Sequence, residues 1–451
     1  MKVCKFGGSS LAGGEQIRRS GSIILRDPDR RIMVVSAPGK RSKNDIKVTD
    51  LLISLANARI SGYDGVTERS AVIGRFADIC NELSLPDRVI EEIVADIDSR
   101  LSARYDNDME MLDTLKAAGE DNCAKLVAAW FLAGGYDAAY VNPGEAGLFL
   151  SSDYGRARVL PESYANLQKL RERNGILVFP GFFGYTKSGK VVTFSRGGSD
   201  ITGAILAAAV DAHEYENWTD VDSVFAVNPN IVPNPQPLSE ISFKEMRELT
   251  YAGFSVLHDE ALEPAWQHNI PVHILNTNNP DSPGTRIIER RQTFNGVVTG
   301  VAGSKGFAML HITKYLMNRE IGFAAKLMQI FADLNLSIEH MPTGIDSITV
   351  VVRSDALDDD KLEIIMRRLF DELEVHEAYL ERGLAIVMIV GAAMAQTVGV
   401  TARATSALGR AGINLELIIQ GASEISVLFG VKEEFCDFAI KTLYREFFAY
   451  P

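Results

Sequence analysis

The sequence predicts an α/β domain built on a largely parallel sheet over residues 1–290, followed by two small α+β modules over 300–375 and 376–451. Three observations predict it. Short β-rich runs alternate with helical stretches through the first part of the chain. Two strand-to-helix turns in that part, "KFGGSS" (5–10) and "SRGGSD" (195–200), set glycine backbone beside a fixed charge. Beyond residue 300 the chain repeats itself at a constant spacing.

In chain order, "MKVCKF" is a strand, followed by a glycine turn and a helix. "RIMVVSAP" is a second strand, leading through the basic loop "GKRSKNDIK" (39–47) into the helix "TDLLISLANARI". "YDAAYVNP" and "GILVFPGFFG" supply further strands. Strands alternating with helices argue for parallel pairing, and ligands of such sheets sit at the carboxyl ends of the strands. Both glycine turns belong at such ends. "NTNNPDSPGTRI" (276–287) reads as a turn and a domain edge. After it, "GFAMLHIT" (306–313) aligns without gaps on "GLAIVMIV" (383–390). With the same offset of 77, residues 331–352 fall on 408–429. Gly306/Gly383, Gly322/Gly399, Glu339/Glu416, Gly344/Gly421 and Ile348/Ile425 are identical pairs. Two copies of one unit follow, each reading strand, loop, amphipathic helix, strand, turn, strand. A duplicated unit of this kind suits binding of a regulator or partner better than chemistry.

Composition narrows the function. With 46 Lys and Arg against 59 Asp and Glu, the net charge is −13, which argues against nucleic acid as the main partner. A small anionic ligand needs only a local basic cluster. Cys4, Cys80, Cys123 and Cys436 are scattered, as free thiols of a reducing cytosol are. No signal peptide is visible, and the longest apolar run (385–395) is too short for a bilayer, so a cytoplasmic protein without membrane contact is expected.

Three patterns bear on phosphate binding. "GYTKSGKV" (184–191) has P-loop spacing but ends in Val191 and precedes a strand, so it reads as a hairpin turn. No G-x-G exists for a dinucleotide fingerprint. "KFGGSS" is the third: Lys5 ends a strand, Gly7 and Gly8 let backbone N–H groups approach an anion, and Ser9 and Ser10 can cap the following helix. The alternative is a plain capped turn with a surface lysine. "SRGGSD" carries Arg196, suited to a carboxylate or a phosphate. Asp200 would be wasted on a phosphate; it can fix Lys5 or Arg196, or hold an ammonium group. "NWTDVDSVFAVNP" (217–229) offers hydroxyl, carboxylate and aromatic groups for a ribose and a base, or is simply an acidic turn.

Taken together, "KFGGSS", "VVSAPG", "VTDLL", "AAGE", "FSRGGSDITGAILA", "WTDVDSVFAVNP" and "PVHILNTNNPDSPGTRI", with the duplicated C-terminal unit, resemble the aspartate kinases over essentially the whole chain. The resemblance implies an amino-acid-kinase α/β/α sandwich followed by two ferredoxin-like ACT domains, which can interleave. It implies ATP-dependent phosphorylation of the L-aspartate side-chain carboxylate, with ATP and Mg²⁺ as cofactors. By that resemblance Lys5, Gly7, Gly8 and Ser9 meet the phosphates, and Lys5 and Asp200 are catalytic. Ser36, Thr49, Glu120, Arg196, Gly197 and Gly198 contact aspartate, Arg196 taking a carboxylate and Glu120 facing the amino group. Thr219, Asp220 and Phe225 meet the nucleotide. Met317, Ser337, Ile338 and Glu339 line an effector site for lysine or threonine, and ACT pairing implies a homodimer or a multiple of one.

The pattern departs from the family at Ala226-Val227-Asn228-Pro229-Asn230 and at Ser255, where relatives carry nucleotide-facing charges. Gly344 and Ile345 replace a Ser-Glu pair of lysine-sensitive relatives. The competing readings are a kinase of the same fold acting on glutamate, N-acetylglutamate or a nucleoside monophosphate, and a non-catalytic amino-acid sensor. "AAGE" weighs against the first, and the intact charges at Lys5, Arg196 and Asp200 against the second.

Overall fold

The computed structural model describes residues 1–254, 257, 259–291, 296–421 and 423–449. They fall into two compact units. Residues 1–224, 237–250 and 255–291 make the first; 225–236, 251–254 and 292–451 make the second. Two short pieces of the 1–290 stretch therefore cluster with the second unit.

The strands of the first unit are β1 (Lys2–Phe6), β2 (Arg30–Val35), β3 (Ala138–Tyr140), β4 (Ile176–Pro180), β5 (Phe183–Tyr185), β6 (Val191–Thr193), β7 (Glu214–Thr219), β8 (Glu240–Ser242), β9 (Val272–Asn276) and β10 (Thr285–Ile288). Its helices are α1 (Gly14–Leu25), α2 (Val48–Ile60), α3 (Val66–Glu82), α4 (Asp87–Ser102), α5 (Asp108–Ala133), α6 (Glu162–Leu167), α7 (Gly198–Ala209), α8 (Phe243–Tyr251) and α9 (Asp259–Gln267). Eight strands form one sheet in the order β3-β4-β2-β1-β7-β9-β10-β8. Neighbours run parallel except β9 and β10.

Strand alternation decides which side chains meet. Cys4, Phe6, Met33, Val35 and Trp218 enter one core with residues of α1, α3, α4 and α5. Lys5 consequently points to the opposite face, where α7 lies. Because β1 pairs with β7 in the register Lys5↔Asn217, Asn217 shares that face. Helix α7 is alanine-rich and buried along its length apart from Asp200.

"GYTKSGKV" is the turn of the antiparallel β5–β6 hairpin, Phe183 opposite Thr193, so the P-loop reading falls away. The 276–287 segment contains the turn of the β9–β10 hairpin, and the first unit ends shortly beyond it, at 291. Among the described residues no helix is long and apolar enough to cross a membrane.

The second unit contains β11 (Gly300–Thr313), α10 (Phe323–Asp333), β12 (Ser347–Arg353), α11 (Asp359–Leu373), β13 (Glu377–Val390), α12 (Val400–Arg410), β14 (Leu417–Gln420), β15 (Ser426–Lys432) and α13 (Cys436–Tyr444). The strands form one antiparallel sheet, β12-β11-β13-β15-β14. Residues 307–313 of β11 pair with 377–384 of β13, and residues 300–305 pair with 385–390. Each repeat copy therefore takes half of its long central pair from the other. One core gathers Ala308, Leu310, Ile312, Val350, Leu380 and the apolar faces of α10 and α11. The other gathers Val301, Ala385, Val387, Ile389, Phe429 and those of α12 and α13. The alternation changes phase at Gly306 and Gly383 (φ +88° and +74°), which flank the shifts in register. The repeat as read from sequence stops short of α11 and α13, and the strand expected near 337–341 is reduced to isolated bridges such as His340–Val351.

Candidate active site

β1, β2, β4 and β7 end side by side at Phe6, Val35, Pro180 and Thr219, and the turns that leave them carry the polar groups. Lys5 Nζ lies 2.5 Å from Asp200 Oδ1, with both side chains largely buried. Asn217 Nδ2 donates to the same oxygen at 2.8 Å, and the Tyr215 hydroxyl donates to the Asp200 carbonyl at 3.1 Å. Asn217 was missed in the sequence: β7 reads Glu-Tyr-Glu-Asn-Trp-Thr, and one polar residue among several there gives no signal of its own. Asp200 fixes Lys5, one of the roles left open for it.

The opening turn differs from expectation in two respects. The Gly7 N–H is spent on the Trp218 carbonyl (3.1 Å), whereas the N–H groups of Gly8 and Ser9 have no protein acceptor among the described residues. The serines do not cap a helix. A 3-10 turn follows (Gly8–Leu11) without a side-chain cap, Ser9 is exposed, and the Ser10 hydroxyl meets Thr277 Oγ1 at 2.7 Å. Helix α1 begins only at Gly14, whose N–H donates to Glu82 Oε2. A carboxylate from α3 thus fills the place that the serines were expected to take.

The opening turn is locked to the turn after β2. Gly39 N donates to Gly8 O at 2.8 Å, and a Cβ on Gly8 would stand 2.9 Å from the Ala37 carbonyl. Arg75, buried on α3 and also missed in the sequence, ties this pair down. It donates to Gly39 O (2.7 Å) and Ala12 O (3.3 Å) and pairs with Asp45 (2.5 Å). In the basic loop, Arg41 is occupied by Asp45 and Asp78, while Lys40, Lys43 and Lys47 are exposed.

Ser36, Thr49 and Glu120 gather around the same turn. Ser36 N donates to Phe6 O, and Thr49 is the second residue of α2, whose first N–H donates to Pro38 O. Glu120 projects from α5 into a buried position facing the Ala37 N–H, and among the described residues its Oε2 has no hydrogen-bond partner. Burial pushes its carboxyl up to about 8, against the pull of the Ala37 N–H and of Lys116. A buried carboxylate oxygen without a donor is costly unless a cation arrives.

Arg196 is exposed and has no hydrogen-bond or ion-pair partner among the described residues. Gly197 precedes α7 in the left-handed region (φ +77°), a conformation that favours glycine, and so turns Arg196 out of the strand-to-helix corner. Thr219 ends β7 and donates to Asp220 (3.3 Å), which is exposed.

Phe225 belongs to the second unit, where it is half-buried. Beside it, Val227 enters a core of that unit and Asn228 Oδ1 accepts from Asn230 N (2.9 Å). Ser255 lies outside the described residues. Of the effector set, Met317 is in the core with α10, Ser337 is exposed and Ile338 is half-buried. Glu339 accepts from the Tyr251 hydroxyl at 2.7 Å and lies 4.0 Å from Arg353. It is not a free surface carboxylate.

Comparison with known proteins gives the family. A family model for the amino acid kinase family matches residues 1–276, and one for the ACT domain matches 387–447. The chain is 51% identical to aspartokinase 3 of Bacillus subtilis, over 100% of this chain and 99% of that one. It resembles the crystal structure of Clostridium acetobutylicum aspartate kinase at 34% identity and a TM-score of 0.86, covering 99% and 100% of the two chains. Two structures of E. coli aspartokinase III, at 25% identity and covering 99% of both chains, give TM-scores of 0.78 with aspartate and ADP and 0.75 with lysine and aspartate.

Proposed function

Since the chain belongs to the amino acid kinase family and is, within it, an aspartate kinase, we propose that its two glycine turns divide the reaction between them. Lys5 and the free N–H groups of Gly8 and Ser9 receive the transferring phosphate of ATP. Arg196 and Glu120 hold the two charged ends of L-aspartate, with Ser36, Thr49, Gly197 and Gly198 around it. Thr219 and Asp220 face the nucleotide. The observation that carries this reading is the 2.5 Å contact between Lys5 and Asp200, which joins turns 195 residues apart at the carboxyl end of one sheet.

The nucleophile is the aspartate side-chain carboxylate, already ionised at pH 7 with an ordinary pKa of about 3.9. No general base is needed. The obstacle is bringing an anion against a polyanion, so the chain's task is positioning and charge neutralisation. Asp200 and Asn217 hold the Lys5 ammonium at the lip of the Gly7 turn; a Cβ on Gly7 would lie 3.6 Å from Nζ. Lys5 thus meets phosphoryl oxygens without reorganising. Arg196 gives a planar fork to a carboxylate, and the unpaired Glu120 oxygen accepts from the substrate ammonium.

Among the described residues no group of three or more His, Cys, Asp or Glu is placed to hold a metal ion. A Mg²⁺ brought by the nucleotide would be held mostly by its phosphates and water, with Asp200 or Asp220 able to supply an oxygen or two. Bound there, it supplies positive charge to the phosphoryl oxygens.

Feedback by lysine or threonine at the ACT pair, and a homodimer built through it, complete the proposal; the lysine complex of the E. coli relative supports the first. An ADP-release assay tests the whole. Turnover must depend on L-aspartate, yield an acyl phosphate that hydroxylamine traps, and collapse in Lys5→Ala. Preference for glutamate or N-acetylglutamate, or full activity of Lys5→Ala, would refute it. Unchanged activity and aspartate affinity with lysine, threonine and their mixture would remove the feedback.

A further inference from the structure

The corner between β4 and β5 contains a residue that the reaction as described does not use. Phe182 has φ +74°, the left-handed region that a bulky residue avoids. Such strain persists only where the surroundings over-determine it, and four contacts do so here. The Phe182 N–H donates to Thr202 Oγ1 (3.0 Å), and that hydroxyl donates in turn to Gly198 O (2.8 Å). Its carbonyl accepts from Phe194 N (2.9 Å). Its ring lies against Gly198, where a Cβ would stand only 2.6 Å from Cδ2. On the other side, Lys116 Nζ sits 5.5 Å from the ring centroid.

These contacts lead to both ends of the amino-acid site. Thr202 and Gly198 belong to the start of α7, the helix that the Arg196 turn feeds. Lys116 is one turn before Glu120 on α5 and is itself pinned by the fully buried Asp113 at 2.9 Å. The second oxygen of Asp113 accepts from Gly155 N (2.7 Å) and Thr193 N (2.8 Å), so the β6 side of the corner is fixed to α5 as well. We propose that Phe182 is a positioning residue whose strained corner sets the span between Arg196 and Glu120, and with it the length of amino acid accepted. This rests on the assignment of the substrate ammonium to Glu120 and of its side-chain carboxylate to Arg196, because the ammonium and the α-carboxylate share one carbon and their spacing does not change with chain length. A span whose two side chains start from rigid, fixed backbone discriminates aspartate from the homologue one methylene longer by geometry.

Phe182→Gly separates this role from a structural one. Glycine accepts φ +74° without strain, which offsets part of the lost ring contacts, so the variant keeps its fold while losing the ring that spaces the turn from α5. The expected result is an aspartate KM raised roughly 10- to 100-fold, a smaller fall in kcat, and an aspartate-to-glutamate ratio of kcat/KM lowered about tenfold or more. Thr202→Val, which removes the bridging hydroxyl at constant shape, should move the same ratio in the same direction, and Thr202→Ser should restore it. Arg196→Ala is run in parallel. A Phe182→Gly enzyme with wild-type aspartate KM and wild-type discrimination, beside a raised KM in Arg196→Ala, overturns the positioning role alone. An unchanged aspartate KM in Arg196→Ala overturns the underlying assignment and the proposal with it.

Discussion

In the role proposed for it, Glu120 would couple aspartate binding to a proton, and the coupling can be sized. Holding a carboxyl at about 8 instead of its ordinary 4.5 corresponds to about 5 kcal/mol, at about 1.4 kcal/mol per pH unit. Between those two values the folded free enzyme keeps a proton that the unfolded chain has lost. The contribution of this group to stability is therefore largest in acid, weakens as pH rises through that window, and is fully lost above about 8. Binding runs the other way, because the substrate ammonium needs the ionised carboxylate. At pH 7 about a tenth of free sites are ionised, so apparent affinity is about tenfold below its alkaline limit. The aspartate KM of the wild type should fall about tenfold per pH unit up to about pH 8 and then level off. Calorimetry in buffers of different ionisation enthalpy should show close to one proton released per aspartate at pH 7. Glu120→Gln should raise KM about 10- to 100-fold at alkaline pH and abolish the pH slope. The apo variant should also lose less stability between about pH 5 and pH 8 than the wild type. A wild-type KM flat from about pH 6.5 to pH 8.5, or a slope retained in Glu120→Gln, would refute the reasoning.

Three further outcomes follow from the same contacts. Lys5→Met should lower kcat by about 10²- to 10³-fold. It should also cost about 3–5 kcal/mol of stability by stranding Asp200, and Lys5→Met with Asp200→Asn should regain stability in a denaturant titration without regaining activity. Arg196→Ala removes an exposed side chain with no partner among the described residues, so its thermal midpoint should stay within about 1–2 °C while the aspartate KM rises and the ATP KM does not; a raised ATP KM alone would exchange the roles of the two turns. Gly39→Ala would place a Cβ 2.5 Å from the Gly8 carbonyl carbon. It should force the two turns apart and lower kcat without removing any charged group, and normal turnover would show that their close approach does not matter.

Much of this was legible in the chain because the site lies on motifs of local geometry. Glycine followed by hydroxyl residues at the end of a strand announces a turn wherever the strand is placed, and period-2 alternation in "VCKF" is enough to put Lys5 on the face opposite Phe6. The repeat was legible because a constant offset survives any three-dimensional rearrangement. The rest depends on register and distance. That Asn217 stands beside Lys5 follows from β1–β7 pairing between segments more than 200 residues apart, which no local pattern encodes. Arg75 reads as an ordinary helix arginine until α3 is docked. The helix-capping role expected of Ser9 and Ser10 fails because a 3-10 turn intervenes, and Glu82, far along the chain, reaches the start of α1 first. The halving of β11 and β13 between the two copies was equally hidden, since the aligned repeat begins at Gly306 and omits the residues before it.

That halving limits how the C-terminal unit can be taken apart or assembled. The copy that comes second in sequence uses residues 300–305, which open the first module, and the first copy is finished by residues that open the second. A growing chain completes neither until β13 has been made, and a cut near residue 375 strips both of a central strand. Neither copy is portable: grafted alone onto another protein, it would carry an open sheet edge where the other supplied a partner. The pair should melt as one block, and a duplication that began as two copies of a unit has become, physically, a single one.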